Sequence, residues 1–252
     1  DSLSSGTATL TVDIANINSP NIVFDVTNTS SLVAGASISN AKSGTLTFSS
    51  EMATVAVGAA ADADLVLVLN HSAANTGAGT DITTTGTADD LTINAGANTI
   101  TVTASSATED LTITSGNVAA LTAAGILGNV SITSTGTVTV TAVTNAIGSA
   151  TITNAGAADG TDIVITDMNS VTSANITSAG SITATANSGL AAAASITAMA
   201  TENSTITADG VANQTMILGA NDPGAVLVIY TVNATTVESI DLTGTTTVAV
   251  KI

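Results

Sequence analysis

The chain has 252 residues, 44% of them hydrophobic, and nineteen acids against two Lys give a formal net charge of −17. This charge excludes nucleic acid as a partner, because basic side chains are needed to neutralise phosphates. The absence of Cys excludes disulfides and thiolate metal sites, and no apolar run reaches the 18 or more residues that membrane insertion requires.

Residues 1–45 contain two alternating segments, 8–14 and 21–26, with Ser19-Pro20 breaking the chain between them. We interpret this region as an N-terminal cap, since terminal units of repeat proteins are atypical. A second interpretation is that its first strand completes a neighbouring subunit. Because the chain starts at Asp1 instead of Met, we expect that a leader was removed or a larger protein was cut.

Residues 46–214 form the predicted repeat body. Its first part includes the continuous apolar run 64–69, which predicts a strand buried on both faces. Residues 70–90 lack a clear alternation and are predicted to form a loop inserted in one repeat.

The body then repeats a three-residue phrase, an apolar residue followed by Thr, Ser or Asn and by Ile, about every 20 residues. The Ile positions are Ile93, Ile113, Ile132, Ile152, Ile176 and Ile196. A Gly follows most copies, and a second alternating segment completes each unit. A fixed period of this length is typical of a solenoid, in which each unit buries its apolar side only by stacking on the next.

Residues 215–252 are more apolar and less regular, and are interpreted as a C-terminal cap. No linker divides the chain, so we predict a single all-β domain, a β-solenoid (β-helix) with rungs of about 20 residues. The alternative is one or two immunoglobulin-like β-sandwiches. Such sandwiches normally centre on a buried Trp, which this chain lacks.

Two acidic pairs lie one period apart, before equivalent Leu residues. They are Asp89-Asp90 and Glu109-Asp110. Stacking would place these carboxylates about 4.8 Å from each other, so either the corner is fully solvated or a cation lies between the rungs. Carboxylate oxygens suit Ca²⁺, and these four residues are therefore the predicted metal ligands. Asp62 and Asp64 are interpreted as isolated acids on turns.

This composition offers few of the residues that usually perform catalysis. His71 is the only His, and it falls in the predicted loop. Polysaccharide-processing clefts usually offer aromatic platforms, whereas this chain has one Tyr, two Phe and no Trp. We therefore expect no enzyme, and keep a polysaccharide-active enzyme as the least favoured reading.

The stretches LTINAGANTITVTA, VSITSTGTVTVTA and ANITSAGSITATA resemble secreted surface proteins of bacteria or archaea, of the S-layer and β-solenoid adhesin kind. The resemblance lies in repeat and composition, and the calcium-binding nonapeptide array of some S-layer proteins is missing. It implies an extracellular structural protein at the cell surface that assembles with copies of itself into a filament or lattice. An adhesin stalk that displays a binding loop such as 70–90, with surface glycans as partners, is the alternative.

Overall fold

The computed structural model describes residues 9–13, 21–24, 33–48, 52–70, 79–104, 109–124, 128–144, 147–155, 162–166, 171–186, 195–200, 204–209, 212–220, 227–233, 236–241 and 247–251. These residues form 21 β-strands, and every strand pairing among them is parallel. The chain is therefore a β-solenoid, as predicted. A sandwich of the immunoglobulin kind is excluded because its strands would pair antiparallel.

The strands form two ladders, because most strands pair with the strand two places further along the chain. Ladder A contains β1 (Thr9–Asp13), β3 (Val33–Ala41), the first part of β5 (Met52–Leu69), the first part of β6 (Thr80–Asn94), β7 (Thr99–Ala104), β9 (Asn117–Ala124), β11 (Val138–Thr144), β13 (Ile163–Ile165), β15 (Ile182–Ala186), β17 (Ser204–Asp209), β19 (Leu227–Asn233) and β21 (Thr247–Lys251). Ladder B contains β2 (Asn21–Phe24), β4 (Gly44–Phe48), the second parts of β5 and β6, β8 (Asp110–Ser115), β10 (Val130–Ser134), β12 (Ile147–Asn154), β14 (Val171–Thr177), β16 (Ser195–Ala200), β18 (Ala212–Ala220) and β20 (Thr236–Asp241).

Alternation along each strand separates the core from the surface. In β8, Leu111 and Ile113 are fully buried, whereas Thr112 is half-buried and Thr114 is exposed. The same period-2 alternation recurs from rung to rung, so the aliphatic side chains of both ladders meet in one continuous core. Val66 and Val68 of the apolar run 64–69 are half-buried, so the prediction that this strand is buried on both faces was wrong.

The predicted stack of isoleucines is confirmed for five copies of the phrase. The residues pair in register across ladder B in the order Ile93, Ile113, Ile132, Ile152, Ile176. The sixth copy is displaced, because Ile196 pairs with Ala174 and Ala198 pairs with Ile176. A shift of two residues keeps the same side chains on the same face of the strand, so the displacement does not change which residues of β16 share a face.

The predicted loop over residues 70–90 was wrong for its second half, where β6 begins at Thr80. Two of its inward positions hold Thr instead of an aliphatic residue, and both Thr80 and Thr84 are buried. The Thr80 hydroxyl donates to the carbonyl oxygen of Met52 at 2.8 Å. The buried threonines hide the alternation in the sequence, although they pack where Val would. Residues 71–78, including His71, lie outside the described residues.

The regions predicted as caps contribute strands to the same two ladders. β1 pairs with β3 and β2 pairs with β4 of the same chain, and β20 and β21 extend ladders B and A. Within the part of the chain that is described, there is no helix that is both long and apolar enough to cross a membrane.

A column of buried polar side chains ends the inward face of ladder B, and two of its serines differ in their hydrogen bonds. Ser134 donates to the carbonyl oxygen of Gly116 and accepts from the N–H of Gly136, both at 3.1 Å. Ser115 pairs with Ser134 in register, is 2% exposed, and its hydroxyl contacts no hydrogen-bond partner among the described residues.

Ser115→Ala is therefore expected to raise the free energy of unfolding by about 1 kcal/mol, because a buried hydroxyl without a partner costs stability. Ser134→Ala is the matched control and is expected to lower it by about 1–2 kcal/mol. Urea unfolding measures both changes. Equal losses in the two variants would contradict the difference between the two sites.

Candidate functional site

One corner of the solenoid carries a column of polar residues immediately before the strands of ladder B. Each of them directly precedes a residue that pairs in register across ladder B, and their order along the ladder is Ser43, Asp64, Asp90, Asp110, Asn129, Ser149 and Ser173. We call these residues the corner column. It contains two of the four predicted metal ligands, Asp90 and Asp110, which pair directly in register.

Side chains of the corner column accept hydrogen bonds from the backbone of the next rung. The backbone N–H and the side-chain amide of Asn129 donate to Oδ1 of Asp110, at 2.6 and 3.1 Å. The backbone N–H and the hydroxyl of Ser149 donate in turn to Oδ1 of Asn129, at 3.1 and 2.7 Å. Ser43 acts similarly, because its hydroxyl accepts from the N–H of Asp64 at 3.0 Å. The column thus satisfies N–H groups where the chain turns into each strand.

Gly128 makes room for the Asp110 carboxylate. A Cβ atom at position 128 would lie 2.2 Å from Oδ1 of Asp110 and 2.0 Å from the carbonyl oxygen of Glu109. The sequence changes along the corner from acid pairs to Gly128-Asn129 and Gly148-Ser149. The negative charge of the corner is therefore confined to its first part.

The structure brings together more acids than the spacing of the repeat predicts. The N–H of Glu109 donates to the carbonyl oxygen of Asp89, so the two predicted acid pairs lie on adjacent rungs. Asp62 and Asp64, interpreted from the sequence as isolated, lie close enough to Asp89 for their charges to act on its carboxyl group. Asp62 also has a φ of 58°, in the left-handed region that Asp, like Asn, adopts more often than most residues other than Gly.

Partial desolvation raises the pKa of Asp89 above its ordinary value of 3.8, and the negative charges of Asp62, Asp64 and Asp90 raise it further. A raised pKa in the folded state means that the charged form is disfavoured by folding. The resulting penalty is absent below 3.8, develops as the pH rises through the raised pKa, and is complete above it.

Asp89→Asn is therefore expected to raise the Tm at neutral pH and to leave it unchanged below pH 3.8. Asp81→Asn is the control for net charge, because Asp81 is exposed on the same strand. Thermal unfolding of the three proteins at both pH values measures the effect. An equal rise of the Tm at both pH values would contradict the electrostatic origin.

The described residues hold no group of three or more His, Asp or Glu side chains arranged to bind a metal ion. One oxygen of Asp110 already accepts two hydrogen bonds from Asn129. Calcium at Asp89, Asp90, Glu109 and Asp110 stays a prediction. A calcium titration followed by thermal unfolding tests it, and an unchanged Tm with and without a chelator would discard it.

A second corner repeats the same capping chemistry before the strands of ladder A. The N–H and the hydroxyl of Ser181 donate to Oδ1 of Asp162, at 3.0 and 2.8 Å. The hydroxyl of Ser204 accepts from the N–H of Ile182 at 2.9 Å. Asp162 is thus a capping residue, and the main chemical task of both corners is to satisfy backbone groups between rungs.

Comparison of the chain with models of protein families, with curated proteins and with solved structures finds no match.

Proposed function

We propose that the protein is an extracellular structural protein that assembles with copies of itself, end to end, into a filament or lattice at the cell surface. The observation that carries this proposal is the strand pairing at the ends of the two ladders. Among the described strands, β1 and β2 at one end and β20 and β21 at the other each pair with a single neighbour. The described strands thus leave one parallel edge at each end of the ladders on which a strand of another copy can pair.

The two ends are complementary in geometry because all pairings are parallel. The last strands of one copy can add β1 and β2 of the next copy with the same strand direction that the ladders use internally. Contacts between unlike ends propagate as an open filament when they do not close into a ring, and stacking along the ladder direction does not close. β2 also carries a large hydrophobic side chain, Val23, that is 62% exposed. A strand of another copy that pairs with β2 would cover part of this side chain.

Charge opposes this assembly over distance, since each copy carries a formal net charge of −17. Salt screens repulsion between exposed charges, with a Debye length of about 10 Å at 0.1 M. Filaments are therefore expected to grow faster at higher ionic strength. Lys251 at the end of ladder A supplies one of the two positive charges of the chain.

The proposal is tested by electron microscopy and sedimentation of the purified chain over a range of concentrations, with proline variants of β2. Successive N–H groups of a strand point to opposite neighbours, so Ile22→Pro and Val23→Pro remove one N–H toward β4 and one toward the open edge. We expect one of the two variants to stop filament growth without lowering the Tm. Thr103→Lys, an exposed change within ladder A, is the control that leaves growth intact.

Isolated rods at every concentration and salt, or growth unaffected by either proline, would contradict end-to-end assembly. Isolated rods would favour the stalk alternative. The loop predicted for that function falls largely on residues 71–78, outside the described residues.

A further inference from the structure

The outer face of ladder B carries a pair of small polar residues on each of five successive rungs, in all seven Thr, two Asn and one Ser. Each pair flanks one isoleucine of the buried column. The pairs are Thr92 and Asn94, Thr112 and Thr114, Ser131 and Thr133, Thr151 and Thr153, and Asn175 and Thr177. We call these ten residues the threonine face. All ten side chains are exposed or half-buried.

The threonine face is an unbroken lattice. Its rungs pair without a register shift from β6 through β8, β10, β12 and β14. Neighbouring positions are therefore about 4.8 Å apart between strands and about 6.7 Å apart along a strand. Ladder A lacks this regularity, because register shifts interrupt the β7–β9 and β9–β11 pairings. The lattice is a property of one face of the rod.

The lattice is also uncharged and is backed by the buried core. The isoleucines between its members, such as Ile113 and Ile132, are completely buried and hold each strand against the core. None of the ten side chains is ionisable, in a chain whose formal net charge is −17. A cationic or mineral partner would instead seek the acids of the corner column, so the partner of the threonine face is expected to be neutral.

A partner of this face must itself be periodic, because five equivalent rungs offer no single position to a small molecule, and small-molecule sites are normally concave. A threonine hydroxyl donates one hydrogen bond and accepts two, as lattice water can, and its methyl group limits the orientations of adjacent water. Ordered neutral polysaccharide fits less well, since the chain has three aromatic residues in all to stack on sugars.

We propose that the threonine face binds ice, with its hydroxyl lattice holding the first layer of ordered water against the crystal. The spacings of the two directions of the face are close to oxygen repeats in a hexagonal ice plane. A bound rod would block the addition of water to the crystal, so growth would stop at temperatures slightly below the melting point. This binding needs single rods and does not depend on filament formation.

The test measures thermal hysteresis and ice shaping with the purified chain at low salt, where rods stay separate, and compares three variants. Thr133→Lys and Thr114→Lys place a charge in the centre of the threonine face, and Thr103→Lys places the same charge on ladder A. We expect the wild-type chain and Thr103→Lys to arrest ice growth and both face variants to lose most of that activity, with an unchanged Tm in all four.

Absence of hysteresis and of ice shaping in the wild-type chain would overturn the proposal. Equal loss in Thr103→Lys would also overturn it, because the effect would not belong to the face. If the face variants change only the oligomeric state, the threonine face binds a second copy and not ice. End-to-end assembly is scored separately by the proline variants of β2, so either proposal can fail alone.

Discussion

Gly116→Ala is expected to lower the free energy of unfolding by about 3 kcal/mol, the larger end of what overpacking costs. Gly116 alone joins β8 to β9, and its N–H donates to the carbonyl oxygen of Asn98 at 3.1 Å. A Cβ atom there would lie 2.2 Å from the carbonyl oxygen of Ala97 and 2.4 Å from its carbon. Both atoms are backbone, so one rung must move away from the next.

The same Gly-to-Ala substitution at two other positions provides controls. A Cβ atom at Gly58 would meet its nearest neighbour at 3.6 Å, an ordinary contact, so Gly58→Ala is expected to be neutral or slightly stabilising. Gly96 has open space but a φ of +58°, so Gly96→Ala is expected to cost about 1 kcal/mol through the backbone alone. Chemical denaturation ranks the three. A loss in Gly58→Ala as large as in Gly116→Ala would contradict the close stacking at this corner.

Ile113→Ala is expected to lower the free energy of unfolding by about 3–4 kcal/mol, because it opens a cavity in the middle of the isoleucine column. Ile113 is fully buried and pairs with Ile93 on one side and Ile132 on the other. Each rung is held by backbone hydrogen bonds to its neighbours, so only the side chains of the adjacent rungs can move into the cavity. Urea unfolding of the variant measures the loss.

Thr114→Ala is the matched control, one residue along the same strand and exposed. Its effect is expected to stay within about 0.5 kcal/mol, as for most surface substitutions. Similar losses in the two variants would show that Ile113 does not lie in a packed column.

The isoleucine column could be predicted from the sequence because its period and the period of the fold coincide. From Ile93 to Ile176 the same residue type fills the same inward position, and the register follows the spacing. At Ile196 the residue type persists but the pairing moves by two residues. The spacing predicts which face of the strand a residue occupies. It does not predict the register here, because a slip of two residues leaves that face unchanged.

The strand that begins at Thr80 could not be recognised because its inward positions are partly polar. Thr80 and Thr84 are buried, and Thr80 is accommodated by its bond to the Met52 carbonyl, a partner 28 residues away. The shape of the Thr side chain allows it to occupy a core position. Its hydroxyl makes the segment polar, so the sequence alone suggests a loop. The pairing of this segment with β5 on one side and with β7 on the other shows which description is correct.

The acidic corner was predicted in part. Asp90 and Asp110 share the spacing of the repeat, and their stacking followed from it. Asp64 precedes Leu65 as Asp90 precedes Leu91, and these two Leu residues pair in register. The shared Asp-Leu order was the feature of the sequence that could have placed Asp64 in the corner column. Register shifts between β5 and β6 hid the match, because they lengthen that one step of the repeat.

Successive rungs stack in register, and a spin-label distance tests this stacking most directly. The chain has no native Cys, so Asn94→Cys and Thr177→Cys provide two unique labelling sites on the same outward column, four rungs apart. Double electron–electron resonance is expected to give one narrow distribution near 19 Å, four times a strand spacing of about 4.8 Å. A distribution centred well beyond that distance, or one too broad to define a distance, would contradict the stacked solenoid.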